Sequence, residues 1–307
     1  MRFQISNFKF QILTSGGLKC SLWLSIVILC WLGGCGEQNE PVAASEEDKM
    51  RIVSMAPNLT EILFALGLDE EIVGVTRHCN YPPEALTRRQ VGTFWQPDVE
   101  AVLAIRPSLL VTLDLPQQRP LIERLERLGS TVLTVADFES FDQLYEGIAA
   151  VGQAVGRTAQ GETMVNRLQA VQDAMRSRYA VRTPPRVLWV IQRHPLRVAG
   201  RATYINEMIE AVGGINAIGP TVNVYPPISA EDVIAAWPDV IIEPANMPDQ
   251  QAVQAGSAAA FYAAFRRVPA VQNDRIFVLD GDLVSRIGPR LDEALETIAR
   301  CLWEQSQ

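Results

Sequence analysis

From Arg51 onward, short runs of β-branched and aliphatic residues alternate with amphipathic stretches of helical length. That alternation restricts the chain to parallel strands joined by helices, because each run is too short for a helix and each stretch too long for a strand. The pattern predicts strands at 52–55, 72–75, 109–112 and 131–135, with helices starting at Pro57-Asn58 and running to Leu66, at 99–105 and at 121–128. Gly67 supplies the C-terminal stop of the first helix. A second set of strands follows at 187–191, 240–242 and 276–279. The two sets are related. Setting Pro107 against Pro238 aligns Glu100 with Glu231, Val102 with Val233, Leu103 with Ile234, Leu109 with Val240 and Val111 with Ile242, a whole helix-turn-strand unit at one offset. The segment from Glu61 to Gly67 matches that from Glu207 to Gly213 at a slightly different offset.

Between the two sets lies a helical stretch at 141–182, interrupted near Gly156-Arg157-Thr158 and ended by Pro184-Pro185. Its second part, 158–180, is about 35 Å long at 1.5 Å per residue, enough to act as a strut across both halves. The fold class is therefore α/β: two similar lobes with central parallel-type sheets flanked by helices, joined by a single long helix. The N-terminal lobe is expected at 50–140, the helical connection at 141–185 and the C-terminal lobe at 186–307. One stiff crossing predicts little hinge motion and a cleft that is mostly formed before ligand arrives.

Charge and motif content exclude several functions. The formal charge is −8, and since the first 35 residues hold Arg2, Lys9 and Lys19 and no acid, the remainder carries −11. An acidic body of this kind is unsuited to nucleic acid, which requires a basic face. With only His78 and His194 and no Cys-x-x-Cys pair, the chain lacks the spacing of a zinc or iron site of its own. Phosphate-binding glycine loops and the Gly-x-Ser-x-Gly elbow are also missing from it.

The N-terminus reads as an address. An apolar run from Ser21 to Leu32 follows the three basic residues, too short for a comfortable membrane span and built like an export signal. It ends in Leu32-Gly33-Gly34-Cys35, which resembles the lipobox of bacterial lipoproteins. That reading makes 1–34 a signal peptide, Cys35 the lipidated mature N-terminus and 35–49 a flexible polar tether. The protein is then exported and held by its lipid on the periplasmic side of the envelope. Only Cys79 and Cys301 remain in the folded body, at opposite ends, and they are expected to stay separate.

The segments RIVSMAPNLTEILFALGL (51–68), VGVTRHCNYPPEA (73–85), VEAVLAIRPSLLVTL (99–113), AEDVIAAWPDVII (230–242) and SRIGPR (285–290) resemble, as an ordered series, the periplasmic binding proteins that serve ABC importers of cobalamin, haem and ferric siderophores. They look most like the cobalamin-binding members of this class III group. The resemblance implies a substrate-binding protein that captures a corrinoid, cobalamin or cobinamide, between its lobes and hands it to a permease dimer with its ATPase subunits. It implies no catalytic residues and no cofactor of the protein's own. In this family one glutamate on each lobe docks on permease arginines, and Glu100 and Glu231 fall on those positions. An ordinary first-turn glutamate, favoured by the helix dipole, is the alternative for each.

The cleft is expected at the strand ends, where two-lobed α/β proteins place ligands. Flat aromatic faces suit a macrocycle, which singles out Phe94, Trp95 and Tyr225, the last six residues before Glu231 as Phe94 is before Glu100. The resemblance puts His78 against the corrin, where it stacks, donates a hydrogen bond, or ligates an open axial position of cobalt or iron. Adjacent Cys79 reads as a small buried residue or a soft ligand. Asp282 and Arg286 match positions that bond the polar periphery of cobalamin, or form a local i,i+4 pair. Arg197 and Leu113 stand where those members have aromatic residues, and Cys301 lacks the partner cysteine that they carry near position 212. A ferric siderophore or haem is the alternative cargo, with Arg77, Arg197 and Arg286 as its basic contacts. A chelatase-like enzyme on the same layout would need converging acid, base and nucleophile, and His78-Cys79 is the one such juxtaposition in the sequence.

Overall fold

The computed structural model describes residues 49–304 apart from 117 and 246–249. The expected signal peptide at 1–34, Cys35 and the tether as far as residue 48 lie outside the described residues. Among the described residues, no helix is long and apolar enough to cross a membrane.

The first sheet contains β1 (Ile52–Ser54), β2 (Ile72–Val75), β3 (Arg89–Gln90), β4 (Leu109–Leu113) and β5 (Val132–Val135) in the order β3-β2-β1-β4-β5. All its pairings are parallel. Every residue of β4 is buried, as expected of a strand covered by helices on both faces. Those helices are α1 (Pro57–Ala65), α2 (Val99–Ile105) and α3 (Arg119–Arg127), then α4 (Phe141–Ala154) and α5 (Thr158–Tyr179). Helix α1 starts on Pro57, whose missing N–H is harmless in the first turn, and buries Leu59, Ile62 and Leu63 on one face. Gly67, at φ +77°, ends it in a left-handed conformation that a side chain would resist.

The second half repeats this plan with β6 (Arg186–Arg193), β7 (Leu196–Val198), α6 (Tyr204–Ala211), β8 (Ile215–Asn216), α7 (Ala230–Ala236), β9 (Val240–Pro244), α8 (Gln251–Tyr262), α9 (Pro269–Gln272), β10 (Ile276–Leu279), α10 (Gly281–Val284) and α11 (Leu291–Trp303). Its sheet runs β10-β9-β6-β7, with β8 also paired to β6. The β6–β7 pair is antiparallel and the others parallel, so this sheet is mixed where the sequence predicts parallel strands alone. Strands β3, β7 and β8 are too short to leave a periodic signal. The 131-residue offset is present in three dimensions: α2 and α7, then β4 and β9, match end to end. Both helices even stop on a non-glycine left-handed residue, Arg106 at φ 52° and Trp237 at φ 47°.

Helix α5 is about 33 Å long and buries Met164, Leu168, Met175 and Tyr179 along one stripe. It packs on α4 from one side and on α6 and α11 from the other. The largest apolar core accordingly runs without interruption from Ile52, Leu59 and Val111 through Leu144 and Leu168 to Val187, Trp189, Ile242 and Leu295. Smaller cores cover the outer face of each sheet.

Candidate functional site

The strand order of the first sheet reverses between β1 and β4, and the crevice at the carboxyl ends of such a pair is where open α/β sheets bind ligands. A cavity of about 280 Å³ lies there. Its floor is Ala56, Pro57 and Asn58, which lead from β1 into α1, with Leu113 at the end of β4. His78, exposed on the loop after β2, stands on its wall beside Phe94 and Trp95. The two rings meet edge to face at 4.9 Å and 78°. Phe94 packs against the core, while Trp95 is 65% exposed. Gln118 holds the Phe94 carbonyl by donating to it at 2.8 Å and accepts from the buried Thr112 hydroxyl at 2.7 Å.

Ser285 and Arg286 close the cavity from the second half of the chain. Arg286 is spoken for: it pairs with Asp282 at 2.5 Å and donates to Asn80 Oδ1 at 2.5 Å, and Asn80 Nδ2 donates to Asp282 at 2.7 Å. The local Asp282–Arg286 pair of the sequence reading thus forms, joined by Asn80 from the loop after β2. Asp282 itself is not on the cavity wall, and neither is Arg197, which donates to the Tyr225 carbonyl at 3.2 Å. Tyr225 is half-buried against the core, the counterpart of Phe94.

Sequence reasoning missed Asp137, Asn80 and Tyr204. Asp137 follows β5 and lines the cavity. Desolvation pushes its carboxyl above the usual carboxylate range, opposed by the Phe138 N–H that donates to it at 3.0 Å. The Tyr225 phenol is pushed up by burial and then by the charges of Asp137 and Glu139. Tyr204, raised mainly by burial, donates to the Ser285 carbonyl at 3.1 Å. An acidic side chain after a strand carries no periodic signature, so only the tertiary fold reveals Asp137. Cys79 faces inward at 2% exposure, with the Thr60 and Thr76 hydroxyls 3.1 and 3.2 Å from its sulfur, and Cys301 is buried elsewhere, both thiols free. No cluster of three metal-ligating side chains occurs among the described residues.

The repeated glutamates tie the halves together. Glu61 of α1 accepts two bonds from Arg290, at 2.6 and 2.8 Å, in an almost fully buried pair. Its counterpart Glu207 on α6 accepts from the Phe141 N–H at 2.6 Å. A second cavity, of about 350 Å³, lies at the reversal point of the other sheet, between β6 and β9, but Arg193 and Glu243 on its wall are bound to each other at 2.6 Å.

Glu100 and Glu231 each occupy the second position of their helices and are exposed. Capping is done by others: Asp98 accepts from the Ala101 N–H, and Ser229 and Asp232 form a reciprocal capping box. Neither glutamate makes a hydrogen bond or ion pair with any described residue.

Comparison with known proteins gives concordant matches. A family model described as "Periplasmic binding protein" matches residues 52–283. An ABC transporter substrate-binding lipoprotein of Bacillus subtilis is 28% identical over 271 residues, 86% of this chain and 83% of its own. A vitamin B12-binding protein of Vibrio cholerae is 26% identical over 252 residues, 82% of this chain and 88% of that one. Among solved structures, the periplasmic heme-binding protein RhuT from Roseiflexus sp. RS-1 superposes with a TM-score of 0.73 at 31% identity, covering 84% of this chain and all of that one.

Proposed function

The chain belongs to the periplasmic binding protein family, the substrate-binding components of ABC importers, and from that premise we propose that it carries a corrinoid in the cavity between its two sheets. The observation that carries this reading is the convergence of His78, the Phe94–Trp95 pair and Arg286 on one cavity at the strand-order reversal of the first sheet. At about 280 Å³ the cavity falls just short of the 300–1,000 Å³ that encloses a drug-sized ligand. A macrocycle would therefore enter by one edge, laying its ring on the exposed Trp95 and presenting its metal to His78, with the rest of the ring in the open cleft. The continuous core beneath both sheets supports a cleft that closes little on binding.

Glu100 and Glu231, uncommitted within the fold, are the docking charges for the permease dimer; paired charges of this kind set orientation and encounter rate. Export and anchoring through a lipidated Cys35 complete the reading: the captured ligand is delivered at the membrane surface. Haem is the second reading, favoured by the 31% identity to the heme-binding protein of Roseiflexus.

The test is a calorimetric titration of the detergent-solubilised full chain with cyanocobalamin, cobinamide, haem and a ferric hydroxamate, with visible spectra of each mixture. Saturable one-to-one corrinoid binding is expected, with a band shift for cobinamide that disappears in His78→Ala. Binding of haem with silence towards both corrinoids would replace the first reading by the second.

A further inference from the structure

The charges around the cleft do not balance in the way an anionic ligand requires. Arg286, the only arginine or lysine among the described residues of the cavity wall, is neutralised by Asp282 at 2.5 Å, the two side chains only 16% and 22% exposed. Asn80 occupies a further donor and acceptor of that pair. Arg197 is turned to the Tyr225 carbonyl and lies off the wall. Asp137, by contrast, is on the wall and has no cationic partner among the described residues, its one bond being the Phe138 N–H. Glu139 adds a second negative charge near Tyr225.

A ligand rimmed with carboxylates or catecholates would bring negative charge towards Asp137 and would compete with Asp282 for Arg286. Asp137 is exposed in the free protein, and a ligand seated over it displaces the water that screens it, so that like charges brought together there repel and decide specificity. A ligand rimmed with amides meets no such opposition, and its N–H groups are donors for the Asp137 carboxylate. Resting on the proposed binding function of this cavity, we propose that Asp137 is a specificity-determining residue that makes the cleft reject anionic metal macrocycles and accept those with an uncharged, amide-bearing or cationic rim.

The experiment uses ligand pairs whose main difference is rim charge, titrated against the full chain in detergent: cobinamide against cobyrinic acid, in which each rim amide, the aminopropanol-bearing one included, is a carboxylate, and haem dimethyl ester against haem. Within whichever pair binds, the neutral-rimmed member is expected to bind at least about tenfold tighter, and the gap to narrow as salt rises. Asp137→Asn keeps the acceptor for the Phe138 N–H, and is expected to strengthen binding of the acid member about tenfold and so to narrow the gap within the pair. Asp137→Glu, which keeps the charge, is expected to preserve the gap. Equal affinities within a binding pair, or a gap untouched by Asp137→Asn, would overturn the proposal while leaving the cavity a binding site. Binding of the haem pair alone, with the ester tighter, would sustain it and remove the corrinoid reading. Silence towards all four ligands would remove the binding function and this proposal with it.

Discussion

Consider the loss of Arg290. Its guanidinium makes two bonds to Glu61, at 2.6 and 2.8 Å, a third to the Asp282 carbonyl at 3.2 Å, and lies 3.9 Å from the centre of the Tyr81 ring. The side chains of the pair are 12% and 2% exposed, so water cannot replace either partner. Arg290→Met keeps much of the apolar stem but leaves the Glu61 carboxylate buried and alone, at a cost of about 3–5 kcal/mol. For a folded body of this size that corresponds to a thermal midpoint lower by about 6–20 °C. Glu61→Leu combined with Arg290→Met removes both charges and is expected to recover most of the loss, since a well-packed apolar pair in place of a buried ion pair is often neutral or stabilising. Scanning calorimetry of the wild type, both single variants and the double variant forms the cycle that isolates the pair. A single variant within about 1 kcal/mol of wild type, or a double variant whose loss is the sum of the two singles, would refute the view that this buried pair locks the two halves together.

Three further outcomes are expected. Glu100→Ala with Glu231→Ala should reduce ligand uptake through the cognate importer by about tenfold or more at physiological salt, with ligand affinity unchanged, as read by radiolabelled uptake in vesicles beside calorimetry. Burial pushes the Cys301 thiol up to about 11. The unfolded chain ionises this group near pH 9 and the folded chain does not, so stability is fully present below pH 9 and falls by about 2–3 kcal/mol as pH rises to 11; urea denaturation should show that slope flattened in Cys301→Ala. Trp95→Ala, at a position 65% exposed, should leave stability within about 0.5 kcal/mol while weakening ligand binding about tenfold.

The parts of this fold legible from sequence are those in which local pattern and repeat agree. The unit of α2 and β4 recurs as α7 and β9 with the same boundaries, because the apolar spacing and the proline at its turn are both repeated. The left-handed stops at Arg106 and Trp237 were invisible, since neither is a glycine and nothing local marks them. At the site, His78, Phe94, Trp95 and Arg286 come together as the strand-end rule expects. Asp282 could be read as a partner of Arg286 four residues on, but the Asn80 that joins them is 202 residues away from Asp282 in the chain. Glu61 and Glu207 were legible as repeat equivalents, not as ties between halves, because Arg290 lies 229 residues from Glu61. Asp137, which has no cationic partner among the described residues, belongs to the same class: its meaning comes from which residues of other elements surround it, and sequence spacing does not report them.

The most direct test of the account is to locate the metal. Crystals of the chain grown with cobinamide, measured on either side of the cobalt absorption edge, would give an anomalous difference peak at the cobalt atom. The account predicts one peak in the cavity bounded by His78, Trp95 and Arg286, within reach of the His78 imidazole. A peak elsewhere, above all in the cavity between β6 and β9, would contradict it.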